Sequence, residues 1–118
     1  MYLRGISLKK LLTAIMLVVF VLNITLSQPA LAADIANGEQ IFSLQCAGCH
    51  INGGNIIRRG KNLKQKALKQ NGMDSIEAIS SIVATGKNNM SAYKDRLSEQ
   101  EIADVSAYVL EQAEKDWR

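Results

Sequence analysis

Cys46-Ala47-Gly48-Cys49-His50 holds both cysteines and the single histidine of the 118-residue chain. Its spacing is C-x-x-C-H, the signature for covalent attachment of a c-type haem. The chemistry accounts for the spacing. Two thiols add across the two vinyl groups of a porphyrin, and an imidazole must then come under the iron. One short turn meets both demands only with a linker of about two residues and a histidine directly after it. The motif predicts Cys46 and Cys49 as the haem thioethers and His50 as one axial iron ligand. Three other readings compete. A Cys46–Cys49 disulfide suits an oxidising compartment. A thioredoxin-type motif requires a strand before the first cysteine, and no strand pattern precedes Cys46. A zinc site lacks a fourth ligand near the motif.

Working outward towards the N-terminus, Arg4, Lys9 and Lys10 form a basic start. Leu11 to Leu22 is an uncharged apolar run. Pro29 then leads into Ala30-Leu31-Ala32. A basic segment, an apolar segment and a small-x-small site, in that order, predict a cleaved signal peptide. The expected boundaries are residues 1–32 for the leader and 33–118 for the domain. Leu11 to Leu26, interrupted by Asn23, falls short of the roughly 20 apolar residues of a spanning helix.

Cleavage changes the electrostatics. The whole chain carries a formal charge of +3 and has a pI near 9.0. The leader holds three of the fourteen positive residues and none of the eleven acids, which leaves the domain balanced. Nothing then supports a nucleic-acid partner. The domain is near the size at which a protein-only core is thin, and a covalently held haem would thicken it.

After the motif the pattern is helical, with two irregular loops and no convincing strand. Asp34 caps a predicted helix to about Cys46. Ile35, Gly38, Ile41 and Phe42 share one face by their spacing, and Gly38 suits close approach of another helix. Residues 51–60 read as a loop. Leu63 to Gln70 reads as a short helix ended by Asn71-Gly72. Asp74 opens the next helix, with Glu77 three residues on as a capping-box variant. Its expected apolar stripe is Ile76, Ile79, Ile82 and Val83, and Gly86 ends it. Residues 86–97 form the second loop. Ser98 and Glu101 make a capping box for the last helix, whose buried face is Ile102, Val105, Tyr108 and Val109.

The iron needs a second axial ligand, and no other histidine exists. Beyond the leader, Met73 and Met90 are the available thioethers. Met73 stands in the turn between Gly72 and Asp74, where it serves equally as core filler. Met90 stands in a polar loop with little reason to hold an apolar residue, and it is the favoured ligand. A neutral thioether favours ferrous iron, so His/Met ligation raises the reduction potential. Iron closed on both sides suits outer-sphere electron transfer rather than oxygen chemistry. No catalytic constellation is evident, so the expected protein is not an enzyme.

Charge is segregated along the chain. Gln40 to Met73 contains no acid but holds Arg58, Arg59, Lys61, Lys64, Lys66 and Lys69. Asp95 to Asp116 holds seven acids, Asp104 among them. Such a dipole can orient a mobile carrier for brief encounters; a pair of solvated helix faces is the plainer reading. Tyr93 and Trp117 are read as packing residues, not electron relays.

The chain from Asp34 onward resembles cytochrome c6, the class I c-type cytochrome of photosynthetic electron transport. The resemblance rests on Asp34-Ile35-Ala36-Asn37-Gly38 leading to Phe42, on Cys46 to His50, on Gly53-Gly54-Asn55 and on Lys61 through Leu68. It continues in Gly86-Lys87-Asn88-Asn89-Met90 and in Arg96-Leu97-Ser98 into Ala107-Tyr108-Val109. It implies an all-α class I cytochrome c fold, four to five helices wrapped around one covalently bound haem c. It places Gly38 and Phe42 against Tyr108 where the first and last helices cross. It implies Cys46 and Cys49 as haem attachment residues and His50 and Met90 as axial ligands. It further implies a monomeric carrier, without stable membrane insertion after cleavage, in the thylakoid lumen or periplasm. That carrier takes electrons from cytochrome f of the cytochrome b6-f complex to photosystem I. Departures fall in both haem-facing loops. Ser91 replaces the usual proline, Tyr93 a common phenylalanine, and Arg58-Arg59-Gly60 lacks a proline. They leave as alternatives a divergent paralogue serving a terminal oxidase or a regulatory thiol system, and a haem-based redox or ligand sensor.

Overall fold

The computed structural model describes residues 5–25 and 32–118. Pro29 to Leu31 of the predicted cleavage region and Arg4 of the basic start lie outside them. The chain divides into two units, Met1–Leu31 and Ala32–Arg118. The first contains one helix, α1 (Leu8–Thr25), whose apolar side chains are exposed. At 18 residues it is about 27 Å long, and Lys9 and Lys10 occupy its first turn. No helix among the described residues is long and apolar enough to cross a membrane.

The second unit is helical, and its described residues contain no strand. It comprises α2 (Ile35–Ile41), a π-helical turn (Phe42–Cys46), α3 (Ala47–His50), α4 (Gln65–Gln70), α5 (Ile76–Thr85) and α6 (Glu99–Glu114). Two short 3-10 turns, Ile51–Gly53 and Arg59–Lys61, shape the first loop. The predicted first helix therefore continues through the motif, but it widens at Phe42–Cys46. There the Ala47 N–H reaches back five residues to the Phe42 carbonyl.

The caps act locally, and most follow the spacing. Asp34 accepts from the Asn37 N–H. Ser98 and Glu101 form the full reciprocal box. At the end of α4, Met73 N–H bonds to Leu68 O at 2.8 Å and Gly72 N–H to Lys69 O at 3.2 Å, the Schellman pattern. The opening of α5 differs from expectation. Its cap is Ser75, which accepts from the Ala78 N–H, not Asp74. Ile76, its first residue, is 37% exposed and so leaves the expected apolar stripe, while Ile79 and Val83 are buried.

The core runs through the crossing of α2 with α6 and the packing of α5 on α6, with Ile41, Phe42, Leu68, Ile79, Val83, Ile102, Val105 and Val109 at its centre. Gly38 faces α6 so closely that a Cβ built on it would lie 2.7 Å from the Asp104 carbonyl carbon and 2.9 Å from Tyr108 Cβ. Phe42 and Tyr108 have ring centroids 5.4 Å apart, as the resemblance implied.

Asp104, one of the seven acids between Asp95 and Asp116, does not contribute to a dipolar surface. It is 2% exposed. It accepts from the Asp34 N–H (2.9 Å), the Asn37 side chain (2.8 Å) and the Gln100 side chain (2.8 Å). The carboxylate thus ties the start of the domain to the middle of α6. Burial alone would raise its pKa, but the bonds donated by Asn37, Asp34 and Gln100 outweigh burial and hold it below the usual 3.8. A depressed folded-state pKa gives stability that is present above the ordinary value and lost as pH falls through the folded one. The thermal midpoint is therefore expected to decline below about pH 4. Asp104→Asn is expected to flatten that decline and to cost about 1–3 kcal/mol at neutral pH. Thermal melts at stepped pH test both.

Candidate haem site

Cys46 closes the π-helical turn, and Cys49 and His50 follow on α3, so all three side chains come from one short stretch. Cys46 is half-buried, Cys49 is exposed and the two are free. Burial pushes the Cys46 thiol up to about 11. It is therefore a neutral thiol at physiological pH, unlike a reactive thiolate, whose pKa is depressed. Among the described residues no group of three or more His, Cys, Asp and Glu side chains could hold a metal ion, so no zinc cluster forms around Cys46 and Cys49.

His50 Nδ1 lies 2.8 Å from the Gly54 carbonyl oxygen. The carbonyl can only accept, so Nδ1 carries the proton and Nε2 keeps its lone pair. A fixed tautomer and ring orientation of this kind is what an iron-ligating imidazole needs. The Gly53–Gly54 turn that supplies the carbonyl is itself held from two sides. Leu63 N–H bonds to Gly53 O at 2.7 Å. A Cβ on Gly53 would lie 2.5 Å from Trp117 Cε2, and the Trp117 indole N–H donates to Leu63 O at 3.0 Å. Trp117 also packs on Phe42, with centroids 5.1 Å apart. Its role is packing, as expected, but it backs the very loop that orients His50. Sequence reading had no signal for that contact, since the pairing spans more than fifty residues.

Met90 is half-buried in its loop and packed on the core. Lys87 and Met90 exchange both backbone bonds at 3.0 Å, an isolated antiparallel bridge. Gly86 sits at φ 68, and a Cβ there would lie 2.6 Å from the Met90 carbonyl oxygen. Only glycine fits that combination of left-handed backbone and close approach. Beyond Met90, Tyr93 N–H bonds to Val83 O at 2.9 Å and Lys94 N–H to Ala84 O at 3.2 Å, which pins the loop to α5.

Cys46, Cys49, His50 and Met90 all line one cavity of about 360 Å³, within the roughly 300–1,000 Å³ of cofactor sites. Its floor is apolar, with Phe42, Leu68, Ile79, Val83, Val105 and Val109, and its rim carries Arg58, Lys61, Asn62 and Asn71. Met73 lines the same cavity, so both candidate thioethers reach it. Two free thiols on adjacent turns, an imidazole with a directed lone pair, two thioethers and apolar walls fit a covalently held haem.

Known proteins agree with this reading. The model of a family described as cytochrome c oxidase, cbb3-type, subunit III, matches residues 33–109, from ahead of α2 into α6. A protein of Nostoc sp. (strain PCC 7120 / SAG 25.82 / UTEX 2576) named cytochrome c6-like is 67% identical over 94% of this chain and 100% of its own length. The protein named cytochrome c6 from the same organism is 45% identical over 94% of this chain and 100% of its own. The crystal structure of cytochrome c6C from Synechococcus sp. PCC 7002 is 60% identical and superposes with a TM-score of 0.67, covering 69% of this chain and 99% of that one. The fold is that of class I cytochrome c. The chain belongs to the cytochrome c6 family, and it is a monohaem electron carrier with one covalently attached haem c.

Proposed function

We propose that the chain, cut after a leader of residues 1–32, works in the thylakoid lumen or periplasm as a carrier and not as an enzyme. It takes one electron at a time from cytochrome f of the cytochrome b6-f complex and delivers it to photosystem I. In this reading Cys46 and Cys49 hold the haem as thioethers, and His50 and Met90 are the axial ligands. When bound, the haem supplies a one-electron ferric/ferrous couple. The single observation that supports it best is that all four side chains line one apolar cavity, with His50 oriented by Gly54. The apolar walls exclude water and keep the site rigid, so little must rearrange when charge changes. Arg58 and Lys61 at the rim, beside exposed Ile56 and Ile57, suit transient contact with an acid-bearing partner.

A second reading keeps the carrier and changes the acceptor. It is favoured by the two Nostoc proteins: the chain is 67% identical to the cytochrome c6-like one and 45% identical to the one named cytochrome c6. A redox titration followed by flash-induced photosystem I reduction separates the two. The photosynthetic route predicts a potential high enough to accept from cytochrome f, and a rate of photosystem I reduction that exceeds buffer and falls with added salt. A potential below that of cytochrome f, or no gain in rate, assigns the carrier to another acceptor.

A further inference from the structure

The two walls of the cavity come from distant parts of the chain, and one side-chain hydrogen bond spans them. Tyr93 stands three residues after Met90. Its hydroxyl donates to the Gln45 carbonyl at 3.0 Å, across 48 residues of sequence. Gln45 belongs to the π-helical turn that leads into Cys46. The other holds on the loop lie elsewhere. The Lys87–Met90 bridge is internal to it, and the Tyr93 and Lys94 N–H groups bond to α5. Asn88, Asn89, Ser91 and Ala92 are all exposed and lie outside the hydrophobic core. The Arg96 guanidinium lies over the Tyr93 ring, 4.2 Å from its centroid, and so covers the ring from outside. Tyr93 and Gln45 both line the cavity.

We infer that Tyr93 is a positioning residue: its hydroxyl ties the Met90 loop to the turn carrying Cys46 and sets how readily the methionine side of the site opens. This rests on the reading of Met90 as an axial ligand. An external ligand reaches the iron only while Met90 is displaced, so the binding rate follows the fraction of open loop. Loss of one hydrogen bond shared by both walls raises that fraction without emptying the core. The freed Gln45 carbonyl lies at an exposed position and finds water, so the fold loses no more than the net worth of that one bond.

The test is the rate of imidazole binding to the ferric holoprotein, measured by stopped flow beside thermal melting. Tyr93→Phe is expected to keep the sulfur-to-iron charge-transfer band and bind imidazole roughly 2- to 10-fold faster, the factor one net hydrogen bond supplies. Ser80→Ala serves as the control for general loosening. It removes the Ser80–Ser106 hydroxyl bond of 3.0 Å between α5 and α6 and is expected to leave the imidazole rate unchanged. A Tyr93→Phe rate equal to wild type, or an equal acceleration in Ser80→Ala, overturns the tether. Met90→Ala distinguishes the two levels of the argument. If it loses the band while Tyr93→Phe binds at the wild-type rate, the tether alone fails. If it keeps the band, the ligand assignment fails and the tether with it.

Discussion

Gly38→Ala is expected to lower the thermal midpoint of the holoprotein by at least about 12 °C. The new methyl would meet backbone, not the far end of a flexible side chain. It would lie 2.7 Å from the Asp104 carbonyl carbon, closer still to that carbonyl oxygen, and 2.9 Å from Tyr108 Cβ. Alanine ordinarily favours a helix over glycine by about 1 kcal/mol, so local propensity predicts the opposite sign. Packing decides the outcome. Helices α2 and α6 would have to separate, and overpacking of this kind costs about 1–3 kcal/mol by itself. Separation also stretches the bonds that Asp104 accepts from Asp34 and Asn37, and buried bonds to a charged group carry about 1.5–3 kcal/mol each. With those bonds weakened rather than lost, the net cost is about 3–5 kcal/mol, a large part of the roughly 5–15 kcal/mol that holds a domain folded. Calorimetry on the variant measures the loss. A midpoint at or above wild type would mean that the crossing has slack, contrary to the geometry.

The same crossing marks the limit of what the residues disclose unaided. Gly38, Phe42 and Tyr108 were legible because helical spacing aligns them and the resemblance supplied the partner helix. The Ser98–Glu101 box was legible because its two hydrogen bonds close within three residues. Asp104 was not. Its neighbours in sequence are Ala103 and Val105, and its charge matches the acids around it. What sets it apart is a set of donors, Asn37 and the Asp34 N–H, that come near only after α2 folds onto α6. Ser75 was passed over for the opposite reason. Asp74 and Ser75 are both good caps, and a shift of one residue changes no apolar period. The site divides in the same way. Cys46, Cys49 and His50 are adjacent and carry their chemistry in their spacing. The Gly54 carbonyl, the Trp117 support and the Tyr93–Gln45 bond are long-range or backbone contacts, and residue types alone do not encode them.

Met90→Ala is expected to abolish the sulfur-to-iron charge-transfer band, to let the reduced protein bind carbon monoxide, and to lower the reduction potential. Axial ligation spans about 0.8 V across haem proteins, and loss of a thioether that favours ferrous iron is expected to move the potential down by the order of 0.1 V. The comparison that gives the result its meaning is Met73→Leu, because both methionines line the cavity. Their surroundings differ. Met73 follows the Schellman turn that ends α4, with its N–H committed to Leu68 O, and its side chain, like that of Met90, packs on the core. Met90 is turned inward from a loop whose Asn88, Asn89, Ser91 and Ala92 are exposed, and its backbone is fixed by Lys87 and crowded by Gly86. A polar loop held this tightly around one inward thioether suits a ligand better than a plug. Leucine conserves the volume of Met73, so that variant is expected to cost under about 1.5 kcal/mol and to keep the band, the closed iron and the potential. Should Met73→Leu lose the band while Met90→Ala keeps it, the second ligand is Met73, and the polar loop is then a lid over the haem edge that never touches the iron.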